Sequence, residues 1–533
     1  MLFFAFFPKK WYNGKQRKKE TGENGVIVKI GTCAVWGLDG FEVVAEAYLG
    51  KGPFEMEIIG LPDLAVKESQ SRITAALLAL RITPPSGKVT VNLAPADRKK
   101  QGSGFDLPIL MTLLSMTVLG GMELSDSFFF GELGLDGSLR GGTGALPKAL
   151  AARDAGAKVL FVPKENENEC SVVEGLTVYG ASHVTEILDH LLGKTALVPA
   201  RFDREAALGE RECAVDFADI RGQGVAKRAI EIAAAGCHNL LLVGPPGSGK
   251  SLLSKAIPGI LPEMSFEEML RTTAVHSVSG TLPAGQALIR ERPFRAPHHT
   301  MSFAGLVGGG QNPCPGEISL AHNGVLFLDE LPEFDKRNLE ILRQPLEDRQ
   351  VTITRAAWKM TFPSDFMLVC AMNPCPCGYY GDPTHRCSCS KAAVERYLGK
   401  ISGPLLDRID MRVEVPALSF EELEDKTPAE SSAAVRERVN RARARARERY
   451  AAYGVSCNGA LSGALTKKLC VMDEGAKACM KESFEALQLS ARGYDRILRL
   501  ARTVADLEGA EKISENHILE AVQYRVSSEK YFG

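Results

Sequence analysis

Alternating apolar and polar positions from Val26 to about Lys194 predict a unit that mixes strands with helices. Two β-branched, alternating stretches, VIVKIGTCAVWGL and FEVVAEAYL, predict strands that are separated by a turn at Asp39-Gly40. Further strands are predicted at EMEIIGLPD, which ends in a turn, and at KVTVNLAP and KVLFVP. Helical spacing predicts helices at Val66–Leu80, Asp106–Leu119 and Ala145–Ala155.

A different pattern runs from about Asp216 to Ala417, where helices alternate with short, continuously apolar runs. Runs without alternation are typical of strands buried on both faces, as in a parallel sheet flanked by helices. They occur at NLLLVG, GVLFLDE, FMLVCAMN and MRVEVP. The pattern therefore predicts a parallel-sheet domain over residues 216–417, which a charged, aperiodic linker at residues 195–215 joins to the first unit.

From Leu418 onward the chain becomes charged and helical. Amphipathic helices are predicted at VRERVNRARARARERY, SGALTKKLCVM, GAKACMKESFEALQL, GYDRILRLARTVADLEG and SENHILEAVQYR. The predicted fold class is thus a multidomain α/β protein with an α+β domain at 26–194, a parallel-sheet domain at 216–417 and a helical domain at 418–533.

Residues 1–25 do not fit this organisation. The apolar stretch Leu2–Phe7 is too short for a signal-peptide core, and its positive charges follow it instead of preceding it. We interpret the segment as a disordered extension or a start codon assigned too early. A membrane-surface anchor is the alternative.

Composition narrows the class of protein. Lys and Arg number 64 and Asp and Glu 65 in 533 residues, so a net charge of -1 excludes a chain-wide polybasic nucleic-acid binder but not a local basic surface. A mean hydropathy of -0.06 and the lack of an apolar run near membrane length argue against a transmembrane protein. Thirteen cysteines are too dilute for a secreted disulfide scaffold and predict reduced thiols in the cytoplasm.

The strongest chemical signal is the segment NLLLVGPPGSGKS. Its residues Gly244, Gly249, Lys250 and Ser251 match the pattern G-x-x-x-x-G-K-[ST], between an apolar strand and a helix. In such a loop backbone N–H groups surround phosphate oxygens, the lysine neutralises the β- and γ-phosphates, and the serine hydroxyl binds Mg²⁺. The predicted nucleotide-binding residues are Gly244, Pro245, Pro246, Gly247, Ser248, Gly249, Lys250 and Ser251.

Two later strands end in polar residues suited to the same site. GVLFLDE ends in Asp329, predicted to hold Mg²⁺ through its water shell, and Glu330, predicted to polarise the attacking water. Adjacent carboxylates at the end of a buried strand have little structural purpose without a cation. FMLVCAMN ends at Asn373, which either positions the water or only forms a turn.

The connecting segments carry a family resemblance. DIRGQGVAKRAIEIAAAGCHNLLLVGPPGSGKS, RPFRAPHHTMSFAGLVGGGQNPCPGEISLAHNGVLFLDELPEF and SARGYDRILRLARTVADLEGA resemble the ComM/YifB family of magnesium-chelatase-like AAA+ ATPases, as do GLPDLAVKESQSRI and VTVNLAPADRKKQGSGFDLPI. The likeness covers nearly all of residues 26–525. It implies an ATP- and Mg²⁺-dependent motor that forms a ring, usually a hexamer, with ATP between subunits and a C-terminal helical lid.

The resemblance also implies roles for individual residues. Arg408, in LLDRID, resembles the arginine finger that reaches a neighbouring subunit's ATP, although it could instead pair with Asp407 or Asp410. Arg492 resembles the lid arginine of chelatase-type subunits, and Arg496 is one helical turn away.

Ahead of the phosphate loop, residues Gly222–Arg228 resemble the segment that lines the adenine pocket in similar ATPases.

The first domain resembles the proteolytic domain of Lon, with a ribosomal S5 domain 2-like fold, in FFGELGLDGSLRGGTGALPKALAARDAGAKVLFVP. Lon-like enzymes use a Ser nucleophile and a Lys base. The resemblance places Gly104 at the nucleophile position, one residue from Ser103, and Leu146 at the base position, two residues from Lys148. We therefore expect no peptidase activity and a role in oligomer scaffolding or partner docking.

A cluster of cysteines follows Asn373 directly. NPCPCGYYGDPTHRCSCS contains Cys375, Cys377, Cys387 and Cys389, with His385 as a fifth possible ligand. Four thiolates can bind a tetrahedral Zn²⁺, which is the favoured interpretation; free buried thiols and a redox switch are the alternatives. Cys314 lies elsewhere in sequence and is interpreted as part of a loop.

Nucleic-acid contacts are predicted in a hairpin within DRQVTITRAAWKMTFPSDF. In similar AAA+ proteins a hairpin before the Asn-ended strand enters the ring pore, so Arg355, Trp358 and Lys359 could contact DNA. Alternatively, Trp358 simply packs the hairpin.

Other basic positions are less specific. The seven arginines of 435–450 indicate either a solvated helix, the favoured interpretation, or a DNA-facing surface. Arg295, His298 and His299 could contact DNA or a neighbouring subunit, and the two histidines are not expected to bind metal.

The favoured function competes with two alternatives of other classes. Members of the ComM family are associated with DNA branch migration in homologous recombination and natural transformation, which implies a helicase-like motor acting on single-stranded or branched DNA. The rivals are a motor subunit for metal insertion, as in magnesium chelatase, and a protein-remodelling ATPase. The Lon-like domain and the cysteine cluster favour the DNA motor through the resemblance.

Overall fold

The computed structural model describes residues 26–120, 122–204, 215–310, 313–355, 358–383, 385–424, 429–526 and 529–532. The expectations for residues 1–25 and for residues 205–214 of the predicted linker lie outside the described residues. Within these ranges, none of the helices has the length and apolar character that crossing a bilayer requires.

A mixed sheet dominates the first part of the chain. Its strands, with a small separate ribbon, are β1 (Val26–Trp36), β2 (Asp39–Leu49), β3 (Glu55–Ile59), β4 (Lys88–Ala94), β5 (Ser127–Phe129), β6 (Glu132–Leu133), β7 (Leu139–Arg140), β8 (Val159–Pro163) and β9 (Thr177–Ala181). Seven of them pair in the order β3-β4-β2-β1-β5-β8-β9, antiparallel around β2 and parallel from β1 through β9. β6 and β7 form the ribbon.

The turn between β1 and β2 differs from the prediction. It lies at Gly37 and Leu38, and Asp39 already pairs with Trp36 in the ladder. Gly37 has a φ of 67°, a left-handed conformation that glycine adopts without steric cost. The Asp39-Gly40 prediction was therefore wrong by two residues.

Helices cover the mixed sheet: α1 (Leu64–Ala79), α2 (Asp106–Met116), α3 (Ala145–Asp154), α4 (Glu167–Ser171) and α5 (Val184–Leu191). α1 begins where the Asp63 carboxylate accepts the Val66 N–H at 2.9 Å. α2 is buried along almost its whole length, and its first residue, Asp106, accepts hydrogen bonds from Arg72 at 2.7 and 2.9 Å. The predicted helices all exist, with ends that differ from the predicted ones by at most three residues.

The central part contains the predicted parallel sheet. Its strands and small ribbons are β10 (Leu240–Val243), β11 (Phe294–Arg295), β12 (Gly308–Gly309), β13 (Cys314–Pro315), β14 (Val325–Leu328), β15 (Gln350–Thr354), β16 (Lys359–Pro363), β17 (Met367–Met372) and β18 (Met411–Glu414). The sheet order is β11-β14-β17-β10-β18, and every neighbouring pair is parallel. All residues of β10, β14 and β17 are buried, which explains their unbroken apolar sequences.

Helices surround this sheet on both faces. They are α6 (Gly224–Gly236), α7 (Lys250–Ile260), α8 (Phe266–Ser279), α9 (Phe303–Val307), α10 (Glu317–Leu320), α11 (Lys336–Ile341), α12 (Arg343–Asp348), α13 (Lys391–Leu398), α14 (Gly403–Leu406) and α15 (Phe420–Glu424). β15 and β16 form the predicted hairpin outside the sheet, and its turn residues 356–357 lie outside the described residues.

The C-terminal part is helical, as predicted: α16 (Ser432–Tyr450), α17 (Gly463–Leu469), α18 (Glu474–Ala486), α19 (Ala491–Glu508), α20 (Glu515–Val526) and α21 (Glu529–Phe532). α16 and α19 share one apolar core with α6, α7 and the parallel sheet. The helical part therefore packs beside the phosphate loop.

The first part of the chain also packs directly on the central part. Met264, Met269 and Leu288 join the apolar cluster around α3. The Gly144 N–H, at the start of α3, donates to the Ser277 carbonyl at 3.0 Å. The exact domain limits stay a prediction, but the sheet units are in contact.

Candidate nucleotide-binding site

The phosphate loop connects β10, a central strand of the parallel sheet, to α7. Gly244 lies so close to the Val415 carbonyl that a side chain would collide with it. Gly247 and Gly249 have φ values of 77° and 87°, which L-residues with side chains rarely adopt. The loop thus needs glycine at these positions to turn its backbone toward a ligand at the N-terminus of α7.

Lys250 is folded into the loop. Its Nζ donates to the carbonyls of Gly244 at 2.9 Å and Pro245 at 2.7 Å, and it lies 3.3 Å from the Asn373 Oδ1. Burial lowers the pKa of Lys250 to about 8. The Lys250 ammonium group therefore donates its hydrogen bonds to loop carbonyls. Phosphate oxygens, which carry negative charge, would be stronger acceptors and could replace these carbonyls.

The carboxylates of β14 lie opposite the loop. The Ser251 hydroxyl donates to Asp329 Oδ2 at 2.7 Å, and the other Asp329 oxygen accepts the Glu330 N–H at 2.9 Å. Glu330 has a φ of 51°, a strained conformation for a residue other than glycine, and its side chain is 59% exposed. The strained turn thus carries a solvent-accessible carboxylate next to Asp329, while Ser251 and Asp329 stay the predicted magnesium ligands.

Residues from three strand ends meet at one edge of the sheet. Lys250 and Ser251 follow β10, Asp329 and Glu330 follow β14, and Asn373 follows β17. The carboxyl ends of parallel strands lie at the same edge, where ligands bind in open α/β sheets. The edge therefore brings together a cation that could meet phosphate, oxygen atoms that could bind Mg²⁺ and a solvent-accessible carboxylate that could activate water.

His299 is a site residue that the sequence argument did not identify. Its Nδ1 lies 3.4 Å from Glu330 Oε2. The His298 ring lies beside it, tilted by 33°, with ring centroids 4.1 Å apart. Arg295, grouped with the histidines as a possible DNA contact, makes two hydrogen bonds of 2.7 Å to Glu317 within its own chain. No pattern around His298 and His299 in the sequence indicates that His299 contacts Glu330, which is thirty-one residues later.

The predicted adenine-pocket segment does line a cavity, of about 970 Å³. Gln223, Gly224, Val225 and Arg228 form one wall, and Tyr524 of α20 contributes to the other. The Gln223 side chain also donates to the Ser248 carbonyl at 3.3 Å. The cavity is thus joined to the phosphate loop.

Arg408 does not have the exposure that an arginine finger needs. Its side chain is 8% exposed and pairs with Glu347 at 2.5 Å. It also donates to the carbonyls of Arg343 at 3.1 Å and Pro404 at 2.7 Å. The alternative pairing with Asp407 or Asp410 is likewise not what the structure shows. Any action on a neighbouring subunit would require release from Glu347.

The two lid arginines differ in environment. Arg492, in the first turn of α19, is exposed. Arg496 is 12% exposed, with its Nε 3.9 Å from Asp410 Oδ1. Arg492 is thus the more solvent-accessible of the two, and its role as a lid arginine stays a prediction.

The four clustered cysteines converge. Their ligand atoms all lie within 4.8 Å of one another, and three Sγ–Sγ distances are 3.3, 3.7 and 3.5 Å. A tetrahedral site with Zn–S bonds of about 2.3 Å requires separations of roughly 3.8 Å. This set fits a metal ion.

His385 is not part of this set. It stacks on Tyr379 with ring centroids 4.9 Å apart, and its side chain is 62% exposed.

The cysteine loop touches the phosphate loop. A Cβ at Gly378 would lie 2.5 Å from Pro246 Cδ. Cys375 is two residues beyond Asn373 and is fully buried. A ligand that holds the four sulfurs in place would therefore also restrain Pro246 in the phosphate loop through Gly378.

Most arginines of α16 turn toward their own chain. Arg438 pairs with Glu231 at 2.6 Å, and Arg449 pairs with Asp506 at 2.5 Å. Arg443 is only 7% exposed. The favoured prediction of a solvated helix was thus wrong for these positions, and they are not available as a DNA-facing surface either.

The Lon-like centre differs from its predicted alignment. Leu146 is fully buried in the apolar core, whereas a Cβ at Gly104 would lie 3.6 Å from Lys148 Nζ. Burial lowers the pKa of Lys148, as a general base requires. The neighbouring Ser103 hydroxyl instead donates to Glu132. Lys148 therefore lies beside Gly104, a position that offers no hydroxyl, and its ammonium donates to the Thr143 carbonyl at 3.0 Å.

We expect the wild-type protein to show no peptidase activity, and Ser103→Ala to change nothing. Gly104→Ser would place a hydroxyl beside Lys148 and should increase labelling by a fluorophosphonate probe at least about tenfold, a small part of what a general base contributes. The double variant Gly104→Ser, Lys148→Met should label at the wild-type background. Wild-type peptide hydrolysis that disappears in Ser103→Ala would contradict this account.

Three family profiles match successive parts of the chain. The profile described as magnesium chelatase, subunit ChlI, matches residues 216–423. Subunit ChlI of Mg-chelatase matches residues 45–166, and the C-terminal profile of magnesium chelatase subunit ChlI matches residues 429–525.

Whole-protein comparisons give longer matches. The chain is 40% identical over 500 residues to the uncharacterized protein YifB of Escherichia coli (strain K12), covering 93% of this chain and 96% of that protein. It is 42% identical over 488 residues to competence protein ComM of Haemophilus influenzae, covering 91% and 94%. The magnesium-chelatase 67 kDa subunit of Chlorobaculum parvum matches at 28% over 169 residues, covering 30% and 23%.

Proposed function

Since the chain belongs to the ComM/YifB family of magnesium-chelatase-like proteins, we propose that it is an AAA+ ATPase that couples ATP hydrolysis to DNA remodelling. The finer assignment is a branch-migration helicase acting on single-stranded or branched DNA in homologous recombination and natural transformation. ATP with Mg²⁺ is the fuel, and the assembly is a homo-oligomeric ring, a hexamer, in the cytoplasm.

One observation supports the ATPase above all others. Lys250, Ser251, Asp329, Glu330 and Asn373 come from three strand ends and meet at one sheet edge, with the Ser251–Asp329 bond at 2.7 Å and the Lys250–Asn373 contact at 3.3 Å. The set supplies each element of phosphoryl transfer to water except a charge from outside the chain. Ring formation would supply that charge, through Arg408 once released from Glu347 or through another exposed cation.

The zinc assignment belongs to the same proposal. Four thiols within 4.8 Å match the ligand number and type of a structural zinc site. Zn²⁺ would hold the loop against Pro246 and carry no part of the chemistry. All cysteines of the described residues are free, in keeping with a reducing compartment.

The choice of DNA over a porphyrin depends on the comparisons. Similarity to the ComM competence protein runs through 91% of the chain, whereas similarity to the chelatase subunit of Chlorobaculum parvum is confined to 30% of it. A metal-insertion motor therefore remains the second candidate, because the two share the central fold.

The test measures ATP hydrolysis by the full chain under three conditions: with single-stranded oligonucleotide, with a synthetic Holliday junction, and without DNA. We expect DNA to stimulate hydrolysis severalfold, and the protein plus ATP to separate the arms of the junction. A junction with heterologous arms, which cannot branch migrate, is the control for simple strand separation. Absence of both binding at low salt and stimulation would reject the DNA motor, since electrostatic affinity is greatest there.

A further inference from the structure

A wide groove of about 1160 Å³ lies between the mixed sheet and the β15–β16 hairpin, away from the nucleotide site. Trp36 and Phe41 line it from the β1–β2 hairpin, and Trp358 lines it from the opposite side. The chain has only three tryptophans, so two of them face one groove. Partly exposed aromatic rings that share one groove are typical of a surface that contacts a ligand.

Cations accompany the aromatic rings. Arg98 and Lys99, after β4, and Arg355, after β15, line the same groove and are exposed. The Arg98 guanidinium lies 4.9 Å from the centre of the Phe41 ring. Asp39 and Asp97 are also present, so cations outnumber carboxylates three to two. The groove is therefore locally positive in a chain whose net charge is -1.

The rings are anchored yet accessible. Trp36 and Trp358 both pack against the apolar cluster of the central domain, and both remain partly exposed. Packing on one side restricts ring motion, so the exposed face is held ready for contact. This combination makes a stacking platform, which a freely rotating surface aromatic would not.

The two walls are held together at the base of the groove. A side chain at Gly37, in the β1–β2 turn, would collide with Met360 of β16. Arg355 lies beside Gly309, with its Nη2 3.5 Å from an ideal Cβ there. The turn of the first domain is thus docked on the hairpin, and the two form one continuous surface.

We propose that this groove binds single-stranded nucleic acid, with phosphates on Arg98, Lys99 and Arg355 and bases stacked on the tryptophan rings. The assignment rests on the proposed DNA-remodelling function and extends it, because it gives the peptidase-inactive domain a direct part in substrate binding. A groove lined by both cations and aromatic faces can meet both the phosphates and the bases of an unpaired strand. A duplex stacks its bases on each other and cannot use the rings.

The experiment measures fluorescence anisotropy of labelled dT20 and rU20 with the full chain and a non-hydrolysable nucleotide. Arg98→Ala with Lys99→Ala should weaken binding about tenfold and reduce the salt dependence by up to two phosphate contacts. Lys51→Ala with Lys67→Ala removes the same charge from exposed positions outside the groove and should bind like the wild type. Hydrolysis without DNA should be unchanged in both.

A second readout reports on the rings themselves. Oligonucleotide should quench tryptophan fluorescence, and Trp36→Phe with Trp358→Phe should remove most of that quenching without unfolding the core. If wild-type protein binds neither oligonucleotide, the proposed function itself fails. If it binds them and the Arg98, Lys99 variant binds equally well, only the groove assignment fails. Polyglutamate of equal charge competing as well as dT20 would also overturn it, because charge alone would then explain binding.

Discussion

Glu330→Gln should leave nucleotide binding intact and slow ATP hydrolysis by at least about 100-fold, the lower range of a lost general base. Glu330 follows β14 in a strained left-handed turn and is 59% exposed, and its backbone N–H is held by Asp329. Gln keeps the shape and the turn but cannot accept a proton from water. Binding of a fluorescent nucleotide and phosphate release, measured on the same preparation, separate the two effects.

Lys250→Ala should instead weaken nucleotide binding and abolish hydrolysis. Its amine is the group that loop carbonyls surround at 2.7 and 2.9 Å, so removal deletes the charge that phosphates would meet. Glu333→Gln is the matched control for Glu330→Gln, because Glu333 is a nearby exposed carboxylate that pairs with Lys400 at 3.3 Å. The Glu333→Gln variant should hydrolyse ATP at nearly the wild-type rate. A double variant of Lys250 and Glu330 that still turns over ATP would refute the site.

Removal of the proposed metal ligands is expected to impair the nucleotide site as well. Cys377→Ser with Cys387→Ser should remove bound zinc, lower Tm and reduce ATP hydrolysis at least about tenfold. The physical reason is the contact of Gly378 with Pro246, together with the position of Asn373 two residues before the buried Cys375. Metal analysis, thermal unfolding and phosphate release on the purified chain check each part.

Cys314→Ser is the control for the metal prediction. Cys314 is exposed and lies outside the four-sulfur group, so its replacement should change neither metal content nor activity. Purified wild-type protein with well under one zinc per chain would reject the zinc assignment. Full activity in the Cys377, Cys387 variant would show instead that the loop needs no metal to support Pro246.

Local sequence sufficed for much of the fold and for the phosphate loop. The strands at Leu240–Val243, Val325–Leu328 and Met367–Met372 are continuous apolar runs, and burial on both faces leaves no alternative to a parallel sheet interior. Because parallel strands align their carboxyl ends, the polar residues that follow each run were also expected to meet. Lys250, Asp329 and Asn373 do so.

Sequence patterns did not reveal contacts in which a long-range partner decides the environment of a side chain. The Arg408 sequence resembles an arginine finger, but Glu347, sixty-one residues earlier, pairs with it at 2.5 Å. The arginines of α16 predicted a solvated helix, yet Arg449 pairs with Asp506 of α19. An ion pair between distant segments has no local pattern, so sequence spacing could not reveal either contact.

The Lon-like resemblance missed a contact for a similar reason. It placed the base position at Leu146, whereas the packing of α3 brings Lys148 Nζ to 3.6 Å from an ideal Cβ at Gly104. The three-dimensional contact depends on the rotation of a helix about its axis, which a one-residue shift changes by about 100°. Only the packed helix shows which side chain faces the nucleophile position.

The sequence by itself determined the succession of strands and helices along the chain and the chemistry of the phosphate loop. Both follow from local properties, namely hydrophobic periodicity and a contiguous motif. The tertiary structure alone decided which cations are free, that His299 meets Glu330, and that two hairpins form a groove with Trp36 and Trp358. These facts depend on segments far apart in the chain approaching within a few ångströms, and packing of the whole fold sets those distances.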